Sequence, residues 1–268
     1  MQNNIGPKAA GLTLAAPAAA TLIRQVAQTS PVAAAEMERL CNGVSEAAGG
    51  APVGRIRSAQ LYSSTGITIA AANTIAVQTA TSFAVGVNNA NAALAAGRVM
   101  TFADTNMTTG GALRNSAFLA TGFGVKMNID TDYATVAGAF WDELAPQLDW
   151  INNYCSLSLQ IGAQDVQRLG TVGDWPAGGM QLGFLASGSG AAGPPVEASR
   201  TQVTQGAQPF GPGSVFDFNL AIPAETTLRL DCKVERAGTA PVGGAIPAGT
   251  VIRLKTTFYG YEITALQG

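Results

Sequence analysis

The chain is 268 residues long, contains no histidine and has only 12% charged residues. Ordinary soluble domains carry roughly 25% charged residues, so Ser, Thr, Asn, Gln and exposed backbone must supply most of the surface polarity here. Without histidine there is no Ser-His-Asp triad, no Cys-His pair and no His-based metal site, which removes most hydrolase and metalloenzyme designs. We therefore expect that the protein is not an enzyme.

The charge pattern also restricts the partners. The 15 basic and 17 acidic residues give a net charge of −2 and form no polycationic arm. Neutralising phosphates needs clustered Lys and Arg, so we expect no direct, sequence-specific nucleic-acid binding by this chain. Uncharged polar surfaces are easily desolvated, which favours a subunit that buries its surface against other subunits. A secreted or high-GC bacterial protein with a bias toward Ala and Gly is the alternative explanation of the composition.

The cysteine pattern predicts buried, reduced thiols. Cys41, Cys155 and Cys232 are far apart and lack a C-x-x-C spacing, so neither a disulfide framework nor a zinc site is indicated. A chain of this length can bury close to three quarters of its unfolded surface, so its stability does not require disulfides.

Residues 1–56 are predicted to form an N-terminal helical arm. Ser30 and Pro31 are a typical N-cap and first helical residue, apolar residues then recur at helical spacing, and Gly49 with Gly50 ends the pattern. An earlier segment, 18–28, is predicted to be helical as well. The arm docks either on another molecule or on its own domain.

An apolar run at 9–23 is the candidate for a targeting or membrane segment. It is too short for a membrane-spanning helix, which needs roughly 20 residues. Pro17 and the single positive charge of Lys8 argue against a cleaved signal peptide.

Alternating apolar and polar residues predict a β domain over 57–268. The clearest strand covers 227–236, the last covers 250–263, and the Gly- and Pro-rich segment 237–249 between them suits a hairpin. Further strands are predicted at 67–87 (one or two), 98–103, 118–129, 154–161 and 215–222.

Two other segments interrupt the strands. An apolar stripe predicts one inserted helix at about 131–152, with Pro146 as a kink. Residues 186–213 lack periodicity and predict a long exposed loop, which usually contacts a partner.

About eight to ten antiparallel strands with long connections predict a mainly β protein, an antiparallel jelly-roll sandwich of two sheets. A single roll is favoured because the strand residues are too few for two full rolls. A compact double roll, a barrel and an immunoglobulin-like sandwich stay open.

Two carboxylate pairs are candidates for glycoside hydrolysis, Asp142 with Glu143 and Asp130 with Asp132. Adjacent helical residues face different directions, so Asp142 and Glu143 do not converge on one point. Asp130 and Asp132 flank the predicted helix start, where capping and the helix dipole explain them. A calcium site that includes Asn128 is the alternative.

The Gly-rich stretch at 183–193 is not followed by Lys-Ser or Lys-Thr, so it indicates loop flexibility in place of a phosphate-binding loop. We therefore assign no catalytic, cofactor-binding or metal-binding residues and expect no cofactor.

Three segments carry a resemblance to a known family. They are TFADTNM at 101–107, WPAGG at 175–179 and FYGYEI at 258–263. Together with the order of strands over 58–266, they resemble the jelly-roll major capsid proteins of non-tailed icosahedral bacteriophages. The resemblance implies a self-assembling shell subunit with a helical N-terminal arm, outward or neighbour-facing loops such as 186–213, and no catalytic residues.

The same resemblance implies the partners and the location. We expect copies of this chain, arranged as trimers or as pentamers and hexamers, together with other capsid proteins, in a virion assembled in the host cytoplasm. The genome then meets another protein or an internal membrane, with the N-terminal arm as a membrane contact.

Two other functions stay open. One is another phage assembly protein, such as a tail-tube, fibre or minor capsid protein. The other is a secreted carbohydrate-binding β-sandwich, which would need exposed aromatic residues such as Trp175. Trp141, Trp150 and Trp175 are predicted to be core or interface residues instead.

Overall fold

The computed structural model describes residues 17–70, 74–94, 97–113, 116–130, 147–175, 181–186, 200–205, 219–239, 246 and 248–265. Several predicted features lie outside these residues: most of the inserted helix at 131–152, the strand residues 215–218, the loop residues 187–199 and 206–213, and Asp132, Trp141, Asp142 and Glu143.

Two α-helices open the described part of the chain, α1 (Pro17–Thr29) and α2 (Pro31–Ala47). Ser30 has an extended backbone, and its hydroxyl accepts a hydrogen bond from the backbone N–H of Ala33 at 3.3 Å, which caps α2. Past the end of α2, Gly49 and Gly50 take φ values of 69° and 89°, a left-handed conformation that stops a helix. The predicted helices, cap and stop are confirmed.

Twelve strands follow within the described ranges, separated by loops and short helices. In chain order they are β1 (Val53–Ala70), β2 (Thr74–Ile75), β3 (Gln78–Ser82), β4 (Ser116–Ile129), β5 (Cys155–Ile161), β6 (Gln167–Thr171), β7 (Gln181–Ala186), β8 (Arg200–Gln205), β9 (Leu220–Ile222), β10 (Leu228–Val234), β11 (Gly238–Thr239) and β12 (Val251–Ala265). A helical segment at 147–154, α3, precedes β5, and a 3-10 turn, Val172–Asp174, follows β6. The protein is mainly β, as predicted.

The strands form three antiparallel sheets. The largest has six strands in the order β11-β2-β1-β12-β4-β9, and the second has four in the order β3-β10-β5-β6. Among the described strands, β7 and β8 pair with each other alone. The longest pairing joins β1 to β12, from Val53 opposite Ala265 to Thr68 opposite Val251.

Strand periodicity explains which residues of a strand are buried. In β10, Leu228, Leu230, Cys232 and Val234 are buried, while the residues between them are exposed or half-buried. A β-bulge at Thr121 of β4, opposite Tyr259 and Gly260 of β12, bends β4 beside β12. Gly260 is required there because a Cβ would lie 1.9 Å from the carbonyl oxygen of Leu119.

The main core lies between the six-stranded and four-stranded sheets. Phe258 stands at its centre, with ring centroids 4.9 Å from Phe123 and 5.5 Å from Phe83. Cys155 and Cys232 contribute to this core from the four-stranded sheet. All three cysteines are buried free thiols, as predicted.

A second core joins α1 and α2 to the other face of the six-stranded sheet. Met37 and Leu40 of α2 pack there with Leu119 of β4 and Ile263 of β12. Neighbouring residues of β4 therefore serve different cores, since Phe118 belongs to the main core and Leu119 to the second. The two helices pack on their own chain.

Four sequence predictions are wrong in detail. Segment 237–249 is no hairpin turn, because β10 and β12 lie in different sheets and β11 pairs with β2. Residues 98–103 form no strand and contribute only an isolated bridge between Ala90 and Val99. β1 begins at Val53, inside the predicted arm and well before residue 67. Part of the predicted loop at 186–213 is strand β8.

Candidate functional site

Of the four carboxylates that the sequence offered for catalysis, only Asp130 lies within the described residues. Asp130 accepts hydrogen bonds from Arg98, with an ion-pair distance of 3.1 Å to Nη2, and Asn128 lies opposite Arg253 in the β4–β12 ladder. Within the described ranges, no group of three or more His, Cys, Asp or Glu is placed to hold a metal ion. Asp130 therefore acts here as the partner of an arginine.

The cysteines are not activated nucleophiles. Burial raises the pKa of Cys41 to about 11 and that of Cys155 to about 12, with nearby Glu38 and Glu235 adding to the shift. Burial also raises the pKa of Cys232. A thiol that stays protonated near neutral pH is unreactive, so these residues serve packing.

Both described tryptophans make internal contacts. Trp175 meets Phe123 edge to face with centroids 5.3 Å apart, and its indole N–H donates to the Leu169 carbonyl. Trp150 stacks on Tyr154 at 4.3 Å and donates to the Arg236 carbonyl at 3.0 Å. These contacts agree with the predicted core role and leave Trp175 poorly suited to bind a sugar.

The segment 97–107 forms the most highly connected polar cluster of the described chain. At its centre is Asp104, whose side chain is fully buried. Its carboxylate accepts hydrogen bonds from both terminal nitrogens of Arg98, at 2.7 and 2.8 Å, and from Arg253 at 2.9 Å. The backbone N–H and the hydroxyl of Thr101 donate to it as well.

This cluster determines the protonation state of Asp104. Burial raises the pKa of the carboxyl, but the hydrogen bonds from Arg98 and Thr101 outweigh that effect and hold the pKa well below its usual range. Asp104 in turn holds the pKa of Arg98 above its ordinary value. Asp104 and its two arginine partners therefore stay charged, and the ion pair with Arg253 holds segment 97–107 against β12.

The turn at 101–104, which we call the Phe102 turn, is held against the six-stranded sheet. The Tyr62 hydroxyl donates to the Phe102 carbonyl at 2.6 Å, and Lys255 Nζ donates to the Ala103 carbonyl at 2.9 Å. Lys255 also lies 3.9 Å from the centroid of the Tyr62 ring. The backbone of the turn is therefore anchored by side chains from β1 and β12.

The side chain of Phe102 nevertheless points outward and is 67% exposed. It is the most exposed large apolar side chain of the described residues, in a set that contains Val32, Val77, Val99, Phe102, Tyr154 and Val166. A large aromatic residue on a rigid turn is typical of a binding surface and has no role in the core.

Sequence reasoning singled out segment 101–107 but missed this cluster. A usable signal was the spacing Thr-x-x-Asp, because an Asp three residues after a Thr can accept from the Thr backbone and hydroxyl. The same spacing recurs at Thr171 and Asp174, with the same two hydrogen bonds. Neither arginine partner had such a signal, since Arg98 lies six residues before Asp104 and Arg253 lies 149 residues after it.

Comparisons with known proteins add no relative: no family model matches the chain, and neither the curated proteins nor the solved structures include a match. In the described residues, no helix is both long and apolar enough to cross a membrane.

Proposed function

We propose that this chain is a structural subunit that assembles with copies of itself, the major capsid protein of an icosahedral bacteriophage shell, and that its two main sheets form a single jelly roll. The observation that carries the proposal is the pairing of eight strands, taken in chain order as β1, β3, β4, β5, β6, β9, β10 and β12.

These eight strands pair in a nested pattern. The first pairs with the last (β1 with β12), the second with the seventh (β3 with β10), the third with the sixth (β4 with β9) and the fourth with the fifth (β5 with β6). A long hairpin that rolls up on itself produces this pattern, and two facing four-stranded sheets of this kind are a jelly roll. β2 and β11 then extend one sheet, and β7 with β8 is an added hairpin.

Composition and surface support the assembly role. The chain has few charges, and large apolar side chains such as Phe102 and Val166 stand exposed on the described surface. The thiols are buried and the buried carboxylate of Asp104 is held by two arginines, as expected of residues that serve structure.

The proposal is tested by purifying the full chain, measuring its mass by light scattering over a range of concentrations, and imaging it by negative-stain electron microscopy. Closed shells of uniform size are expected. Tubes or fibres would contradict the capsid role and select another phage assembly protein. A monomer at every concentration, with no particles, would contradict assembly altogether.

A further inference from the structure

The Phe102 turn is firmly anchored, and yet its Phe102 side chain is 67% exposed. Its carbonyls are held by Tyr62 and Lys255, and its acid Asp104 is held by two arginines. Little conformational entropy remains to be lost when Phe102 is covered, so the free energy of burying the ring is available for binding.

The charge around this turn is positive and incompletely balanced. Lys126 lies directly opposite Lys255 in the β4–β12 ladder, on the same face of the sheet as the turn. Its side chain is exposed, and in the part of the chain that the structure describes it makes no ion pair. Two like charges side by side destabilise a sheet unless a partner supplies the opposite charge.

A surface that complements the Phe102 turn and Lys126 must combine an exposed apolar residue with an unpaired acid. In the β5–β6 turn, Val166 is 56% exposed and follows Asp165, an exposed acid that makes no hydrogen bond or ion pair with any residue the structure describes. The other exposed valines fit less well, because Val77 has no adjacent acid and the Glu36 near Val32 already pairs with Arg39. The positive charge of Arg168, two residues after Val166, interacts electrostatically with Glu235.

Phe102 and Val166 do not cover each other within one chain, since both are exposed. The Phe102 turn lies on the outer face of the six-stranded sheet, whereas the β5–β6 turn belongs to the four-stranded sheet across the core. A contact between them joins different surfaces of two copies, and such a head-to-tail contact closes into rings when the rotation permits.

We propose that the Phe102 turn of one copy binds the β5–β6 turn of a second copy, with Phe102 against Val166 and Lys126 against Asp165. This inference rests on the proposed assembly function and names the contact that drives it. The apolar pair supplies burial of surface, and the charge pair sets the orientation.

Charge reversal tests the pairing. Lys126→Glu and Asp165→Lys alone should each raise the protein concentration needed for assembly by about tenfold, whereas the double variant should return it to within about twofold of the wild-type value. Phe102→Ser should raise it at least tenfold, and Val77→Ser, at a valine that is 57% exposed elsewhere on the surface, should leave it unchanged. Light scattering measures assembly, and circular dichroism melting verifies that each variant is folded.

The outcomes separate this inference from the proposed function. If the wild type forms particles and the three single variants assemble as it does, the contact is wrong while the function stands. If the single variants fail and the double variant does too, the Phe102 surface does not bind the β5–β6 turn. If the wild type never assembles, the proposed function fails first. Should Phe102→Ser fail to fold, the charge reversals decide alone.

Discussion

Replacing Asp104 with Asn should destabilise the protein strongly. The substitution keeps the size of the side chain but removes the charge that Arg98 and Arg253 share in a fully buried position. Removing one partner of a buried ion pair costs about 3 to 5 kcal/mol, because the remaining charges stay uncompensated. For a domain of this length each kcal/mol lowers the melting temperature by about 2 to 4 °C, so a decrease of roughly 6 to 20 °C is expected.

The matched control is Glu262→Gln, which breaks the ion pair that joins Glu262 of β12 to Arg57 of β1. That pair is 2.6 Å long, but its arginine is 51% exposed, so its loss should cost no more than about 1 kcal/mol. Chemical denaturation of both variants beside the wild type measures the two differences. The reasoning is refuted if Asp104→Asn costs as little as Glu262→Gln.

The dependence on pH provides a second readout of the same ion cluster. The pKa of Asp104 is lower in the folded protein than the usual value of about 3.9. A group of this kind contributes stability that is fully present above the unfolded pKa and is lost as the pH falls below it toward the folded pKa. The free energy of unfolding should therefore decline below about pH 4 in the wild type, and less steeply in Asp104→Asn.

Three further substitutions and one chemical treatment have definite expected results. Ser30→Ala removes the cap of α2 and should cost about 1 kcal/mol in denaturant unfolding. Gly43→Ala, at an open position within α2, should stabilise the protein by roughly 0.5–1 kcal/mol, whereas Gly260→Ala should destabilise it by several-fold more than that gain because its Cβ meets backbone. All three cysteines are buried, and burial raises the pKa values of Cys41 and Cys155 to about 11 and 12, so a thiol reagent at pH 8 should label the native protein only after denaturant is added.

The local elements of the fold could be read from the sequence. Ser30, Pro31 and the paired glycines delimit α2 by hydrogen bonding and backbone conformation within a few residues. The strands β5 and β10 alternate clearly because each buries one face. The exclusion of histidine-based chemistry likewise needs only the composition.

The pairing of strands was decided by the tertiary structure. Alternation shows which residues of a strand are buried but not which strand lies beside it, so the predicted hairpin at 237–249 was wrong. In β1, Ser64 faces segment 97–107 and donates to the Asp104 carbonyl, so a buried position carries a polar residue and the strand was not recognised before residue 67.

The candidate surface around Phe102 was likewise decided by the tertiary structure. The sequence alone pointed to segment 101–107 and to a protein that buries its surface against partners, but it predicted part of a strand where the structure has a turn. Asp104 meets Arg253 across 149 residues of chain, and only folding brings them within 2.9 Å. That distant ion pair anchors the turn, and the anchored turn leaves Phe102 exposed.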